Sequence, residues 1–309
     1  MTSGLQGRRR LVVVGSAVVD VVAYVPRLPA LGGDVVAAGS LVAAAGAFNV
    51  LAAAGRFGMT SSLLGRHGIG PNGDLLRAAC RDEGIGMLLP PTLDGDTGFC
   101  IGLVDADGER TYVTIPGVDA DMDAADLALH PPGDGDVVYL SGYELAFPHG
   151  ELVSRWLVSL PSDIPTFFDP GPLIGTLPRN LLDRVMTRVD WCSLNEEEAR
   201  SAVGRGPEEA GAELLRRYPQ LQGVVVRTNA AGCRVRLRDG RSAHIEAMSA
   251  VAVDTTGAGD CHVGTFIASM AEGHPVMVAA RMANHAAGLS VMERGPASGP
   301  TRLELDRSM

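Results

Sequence analysis

A chain of 309 residues, 46% hydrophobic and 20% charged, is long enough to bury a substantial core, and it holds no run of the roughly 18 apolar residues that span a bilayer. A formal net charge of −10 argues against nucleic acid or an anionic membrane as partner, since both attract basic surface. Five scattered cysteines without a C-x-x-C pair point to reduced thiols in a cytoplasmic protein; all 26 basic residues are arginines, which excludes a lysine Schiff base and a Walker-type G-K-[ST] loop.

In chain order, Arg8-Arg9-Arg10 and the apolar run behind it imitate a secretory signal, but Asp20 interrupts that run, so a buried strand, 11–14, is expected after a short basic tail. Segment 35–45 reads as extended with mixed polarity. A helix is expected over 74–83. Segment 98–115 reads as a β-hairpin turning at Asp105-Ala-Asp-Gly108. Buried strands at 137–140, 166–169, 191–194 and 224–227 then alternate with helices at 149–160, 196–203 and 207–218, and two alanine-rich helices, 260–271 and 275–292, close the chain. Alternation of this kind predicts an α/β fold: a mostly parallel central sheet flanked by helices on both faces. The hairpin regions predict a small β-sheet lid. One domain over 1–309, with lid segments at about 34–45 and 98–116 inserted within it, is the expected organisation.

The stretch Asp254-Thr-Thr-Gly-Ala-Gly-Asp260 places Gly257 and Gly259 before an apolar helical run, where free N–H groups and the helix dipole favour an anion. Asp260 reads either as a helix N-cap or as a base beside an anion site. The two glycines favour the second, because a cap alone does not need them. Asn195-Glu-Glu-Glu198 follows the strand WCSL, where Asn195 and Glu198 form a capping box or hold Mg2+ near a polyphosphate. Gly68-Ile-Gly-Pro-Asn-Gly73 matches G-x-G-x-x-G, and the rival it raises is a nicotinamide-dependent dehydrogenase. Against that rival, Gly65-Arg66-His67 separates the glycines from the strand, and Pro71 removes an N–H from the turn. His67, His262 and His285 have no partner spacing and read as core or surface residues.

Together these motifs resemble the ribokinase-like sugar kinases of the phosphofructokinase-B type over nearly the whole chain. The strongest mark is DTTGAGD followed by x-x-x-G-x-F, Asp254 to Phe266. Val14-Gly-Ser-Ala-Val-Val-Asp20, Gly46-Ala-Phe-Asn49 running into Ala52 to Gly58, Gly65 to Gly73, Asn195 with Glu198, Arg227 to Gly232, and Asn284 to Gly295 follow in the family's order. Two departures stand out: Ala44-Ala45 replaces paired glycines associated with lid hinging, and Asn229 replaces a loop glycine.

The resemblance implies transfer of the ATP γ-phosphoryl to a hydroxyl, most often a primary one, of a sugar, with a nucleoside as the alternative. It makes Asp260 the base and the amides of Gly257, Ala258, Gly259 and Asp260 the anion hole. Asp20, Gly46, Asn49, Glu144 and Arg110 are the implied substrate residues. Asn195, Glu198, Arg227, Asn229, Gly232 and Asn284 are implied for the nucleotide, with Mg2+ held at Glu198 through water. Asp254, Thr256 and Gly295 are candidates for a monovalent cation such as K+, and a homodimer through the lid is expected. A kinase fold that binds a ligand without catalysis is the remaining alternative; the presence of Asp260, Asn195 and Glu198 argues against it.

Overall fold

β-Branched and apolar runs bounded by glycine or proline become strands, and the long alanine-rich runs become helices. The structure, a computed structural model, describes residues 5–7, 10–106 and 108–309; Arg8 and Arg9 of the basic tail and Asp107 of the hairpin turn lie outside the described residues. The chain opens with β1 (Arg10–Val14), β2 (Ala17–Tyr24) and β3 (Gly39–Gly46), then α1 (Ala47–Arg56), β4 (Thr60–Leu64), α2 (Pro71–Asp82) and β5 (Gly86–Met87). Next come β6 (Phe99–Val104), β7 (Arg110–Ile115), α3 (Ala124–Leu129), β8 (Asp136–Ser141), α4 (Tyr143–Ala146) and α5 (Gly150–Ser159). The alternation continues through β9 (Thr166–Asp169), α6 (Arg179–Met186), β10 (Trp191–Asn195), α7 (Glu196–Val203), α8 (Pro207–Arg217) and β11 (Gly223–Arg227). The chain finishes with β12 (Cys233–Leu237), β13 (Ser242–Ile245), α9 (Ala258–Ala271), α10 (Val276–Ser290) and α11 (Arg302–Ser308).

Nine strands form the main sheet in the order β13-β12-β11-β10-β9-β8-β1-β4-β5. Its pairings from β11 to β5 are parallel, and only the β11–β12 and β12–β13 pairs are antiparallel. One face is covered by α1, α9 and α10 over a core that includes Leu51, Phe266 and Ala283; the other is covered by α5, α6 and α8 through Leu157, Leu182 and Leu214. Helix α9 is buried from Cys261 to Ala271 and lies between α1 and α10, as a helix apolar on every side must.

A second sheet of four strands, β3-β2-β6-β7, stands beside the first. One of its two interior strands, β2, was not among the segments expected there. Only Gly15 and Ser16 separate β2 from β1, and Ala17 to Val22 is apolar on both faces except at Asp20, so the sequence reads as a continuation of the buried strand. Residues 35–38, expected as strand, are irregular. The turn from β3 into α1 falls at Gly46, whose φ of 64° and missing Cβ (2.8 Å from the Ser16 carbonyl oxygen if present) require glycine. Ala44 and Ala45 sit inside β3 and are buried.

Candidate active site

Three neighbouring parallel strands end in polar residues at the same edge: Asp169 ends β9, Asn195 ends β10 and Arg227 ends β11, with Asn195 and Arg227 in direct register. Ligands gather at such carboxyl edges because loops and helix N-termini open there. Asn195 caps α7 and forms a full capping box with Glu198: Glu198 N–H donates to Asn195 Oδ1 at 2.8 Å, while Asn195 N–H and Nδ2 donate to the Glu198 carboxylate at 2.7 and 2.8 Å. Arg227 lies between the carboxylates, 2.7 Å from Asp169 Oδ2, hydrogen-bonded to Ser193, and 3.5 Å from Glu198 Oε2. Burial lifts Glu198 to about 7, the Asp169 charge adds to it, and Arg227 opposes both. The same carboxylates hold the Arg227 guanidinium cationic against its own burial.

Helix α9 faces this edge. Its N-cap is Gly257, with φ 72°, so Asp260 is the third residue of the helix and not the cap. A Cβ at Gly257 would stand 3.4 Å from Asn49 Nδ2 and from Ala297 N, and one at Gly259 would stand 3.5 Å from the Arg227 guanidinium. The glycines therefore leave the first turn open between an amide, an asparagine and a guanidinium. Asn49, on α1, donates from Nδ2 to Asp260 Oδ2 at 2.9 Å, while its own Oδ1 is buried without a hydrogen-bond partner in the chain. Burial raises Asp260 to about 6; Asn49 opposes the rise, and the Asp169 charge reinforces it.

The small sheet closes the other side. Asp20 on β2, Cys100 on β6 and Thr114 on β7 are register partners on one face. Asp20 is 7% exposed, and burial, then the Asp260 charge, push it up to about 7. Two tyrosines tie this sheet to the glycine-rich loop: Tyr24 donates to Asp254 Oδ2 at 3.0 Å, and the Tyr112 hydroxyl lies 3.3 Å from Thr256 Oγ1. Asp254 also accepts from Thr256 N at 2.9 Å and Gly295 N at 3.0 Å; despite burial, these bonds hold it below the usual carboxylate range.

The structure thus gathers Asp20, Asn49, Asn195, Glu198, Arg227, Asp254 and Gly257 to Asp260 near the carboxyl edge of the main sheet. Arg110 opens β7 at its exposed end. Asn229 (φ 50°) and Gly232 (φ 97°) form the turn after β11, with asparagine in the left-handed conformation expected of the glycine it replaces.

Two expected residues are placed otherwise. Glu144 is 1% exposed, and its oxygens are taken by Ser16 N–H at 2.9 Å and His149 Nε2 at 2.9 Å, so no lone carboxylate faces a sugar there. Asn284 donates to the Ile245 and Glu246 carbonyls at 2.7 and 3.2 Å, and its oxygen lies 3.1 Å from His262 Nε2, so it fastens α10 to β13 and α9. Burial keeps His262 neutral, its pKa lowered to about 3.

Asp169 was missed by the sequence reading, although it ends its strand as Asn195 and Arg227 end theirs. The G-x-G-x-x-G loop is occupied by the chain itself: Asp96 accepts from Asn72 N at 3.0 Å and Gly73 N at 2.8 Å, and a Cβ at Gly70 would strike its carboxyl carbon at 2.4 Å. Those amides have no room for a pyrophosphate, which removes the dehydrogenase reading.

A mostly parallel sheet with a glycine-rich turn opening α9, a buried carboxylate beside it and a second small sheet is the arrangement of the ribokinase-like fold. Residues 8–302 match the pfkB family carbohydrate kinases, and the chain belongs to that family. It is 36% identical over 305 residues to the protein described as uncharacterized sugar kinase YegV of Escherichia coli K12, covering 97% of this chain and 94% of that one. Among solved structures, Arabidopsis thaliana ribokinase complexed with ribose and ATP superimposes with a TM-score of 0.76 at 23% identity, covering 97% and 98% of the two chains. A Burkholderia thailandensis nucleoside kinase in complex with inosine superimposes with a TM-score of 0.79 at 19% identity, covering 96% and 95%.

Proposed function

We infer that the protein transfers the γ-phosphoryl of ATP to a hydroxyl, a primary one, of a sugar, with Asp260 as general base. The observation that carries this reading is the pairing of Asp260 and Asn49 at the open first turn of α9. Asn49 holds Oδ2, which leaves Oδ1 to accept the hydroxyl proton as the sugar oxygen bonds to phosphorus and the bond to the ADP oxygen breaks. The amides of Gly257, Ala258, Gly259 and Asp260 receive the charge that grows on the transferring group, an effect worth about 3–4 kcal/mol per donor in measured anion holes. Arg227 lies against Gly259 and supplies the cationic charge that a lysine-free chain cannot draw from a P-loop.

The residues present fit the nucleotide: Thr228 Oγ1, in the loop after β11, is buried without a partner, and Asn229 and Gly232 shape that loop. They fit Mg2+ in the way that ion is usually held, by one or two carboxylates with water and phosphate oxygens completing its shell. Glu198 and Asp169, whose oxygens already accept from Asn195, Gly171 and Arg227, would hold the ion through its water shell, and no cluster of three or more ligating side chains exists among the described residues. Bound Mg2+ would neutralise phosphate charge there. Asp20 and the free Asn49 Oδ1 are the groups for sugar hydroxyls, Gly46 lets the chain turn beside them, and Arg110 approaches from the rim. The candidate site for K+ lies at the backbone carbonyls of Asp254, Thr256 and Gly295, because the Asp254 carboxylate is already bonded to the protein on both oxygens.

The outer face of the small sheet carries a register row, Val42, Val21, Ile101 and Val113, of which Val42, Ile101 and Val113 are 53%, 41% and 59% exposed. A second copy of the chain is the partner this row fits, and sedimentation velocity reads the dimer directly. No helix among the described residues is long and apolar enough to cross a membrane.

A coupled ADP-release screen over free sugars and nucleosides, with and without Mg2+, tests the reading. Turnover on a sugar is expected. Turnover on nucleosides alone moves the substrate to the alternative, and tight binding without turnover on either overturns catalysis.

A further inference from the structure

The loop over residues 295–299 wraps the start of α9. Gly295 N–H donates to Asp254 at 3.0 Å, Ala297 N lies 3.4 Å from the position of a Cβ on Gly257, and a Cβ on Gly299 would stand 2.7 Å from Cys261 Sγ. The loop therefore touches the helix before, at and after its N-cap. Within it, Ala297 has φ 52°, a left-handed conformation that alanine reaches only under restraint. The restraint is visible. Arg56, the last residue of α1, donates from one nitrogen, Nη1, to both the Ala297 and Gly299 carbonyl oxygens at 2.6 Å. Its other two nitrogens, Nε and Nη2, donate to Glu83, at 3.1 Å to Oε2 and 2.5 Å to Oε1. Helix α1 also carries Asn49, the partner of Asp260, so one rigid element holds the base directly and the anion turn through the loop.

We propose that Arg56 is a positioning residue for phosphoryl transfer: clamped by Glu83, its guanidinium holds Ala297 left-handed and so fixes the Gly257 turn that receives the γ-phosphoryl. This rests on the reading of the α9 N-terminus as the phosphoryl site. Neither arginine nor loop touches substrate in this scheme. Arg56 acts through backbone placement, and a displacement of about 1 Å at reacting atoms can cost about 10²-fold in rate.

The test compares Arg56→Gln with the parent, using ADP and a non-hydrolysable ATP analogue in calorimetry alongside steady-state rates. ADP affinity and the KM for sugar are expected to stay within about twofold, while kcat falls about tenfold and the preference for the analogue over ADP shrinks by a similar factor. Ala297→Gly, harmless alone because glycine adopts this conformation freely, is expected to restore about half of the logarithmic loss when added to Arg56→Gln. A folded Arg56→Gln protein with unchanged kcat and analogue preference overturns the proposal, as does a loss that Ala297→Gly leaves untouched. Should Arg56→Gln not fold, Glu83→Gln decides: a drop of about threefold in kcat at constant sugar KM supports it, and parental kcat overturns it. A parent that binds neither nucleotide counts against the kinase reading and not against Arg56.

Discussion

Two helices in this protein begin behind glycine-rich turns, and they have opposite fates. At α2 the amides of Asn72 and Gly73 are already bonded to Asp96, whose carboxylate they hold below its usual range although burial pushes it up. At α9 the equivalent space is left clear by Gly257 and Gly259 and is flanked by Asn49, Arg227 and Asp260. Both turns share the dipole, the glycines and first-turn N–H groups that no helical carbonyl can satisfy. What separates a structural turn from an anion site is whether the chain supplies its own carboxylate.

The largest expected effect tests the open turn. Asp260→Asn keeps the shape and the Asn49 neighbour but cannot accept the proton, so turnover is expected to fall by about 10²–10⁴-fold while ADP affinity stays near that of the parent. Near-parental kcat in single-turnover assays breaks the contrast, because α9 would then be as structural as α2.

The closed turn is tested by Asp96→Ala. Removing the acceptor leaves its amides unpaired, and a loss of about 2–3 kcal/mol in urea unfolding is expected. Inorganic phosphate should then restore part of that stability in the variant and not in the parent. No response to phosphate would mean that an emptied turn is not an anion site, and glycines with a dipole would be insufficient at α9 too.

The smallest effect concerns the cleft between the two. Asp20 is raised to about 7 in the fold from an ordinary value near 3.8, so its contribution to stability is full below about pH 4 and is lost as pH rises through 7. Asp20→Asn imitates the protonated form. In the absence of nucleotide and metal it is expected to unfold about 1–3 kcal/mol later than the parent at pH 8, with the gain gone near pH 4, and to bind sugar poorly at both. An equal stability difference at the two pH values would sever Asp20 from the charge cluster around Asp260.

Local signals in the sequence were enough to place the α9 turn, the Asn195–Glu198 capping box and the strands β1, β8, β9, β10 and β11. Each depends on residues close together in the chain. What escaped depends on distant partners. Glu144 looks like a sugar ligand until Ser16 and His149 are seen to occupy it. Asn284 looks like a nucleotide contact until its carbonyl partners, Ile245 and Glu246, are placed. Asp96 fills the α2 turn from outside the motif, and β2 hides in an apolar run because it changes sheets after only Gly15 and Ser16. Asp169 carried a legible sign, its place at a strand end, but its meaning required Arg227 beside it.

The small sheet has a consequence for the order in which the molecule opens. Its two hairpin-like halves, β2–β3 and β6–β7, are local, but they meet through the parallel pair β2–β6, which joins Val19 to Phe99 across the whole of α1, β4, α2 and β5. The β1–β8 pair of the main sheet spans still more chain, Arg10 to Asp136, so long loop closure is common to both sheets. What sets the small sheet apart is its outer face, where Val42, Ile101 and Val113 stay exposed, so amide exchange in β2 and β6 should outpace exchange in β8 to β11. The sheet that carries Asp20 is then also the first part of the protein to open.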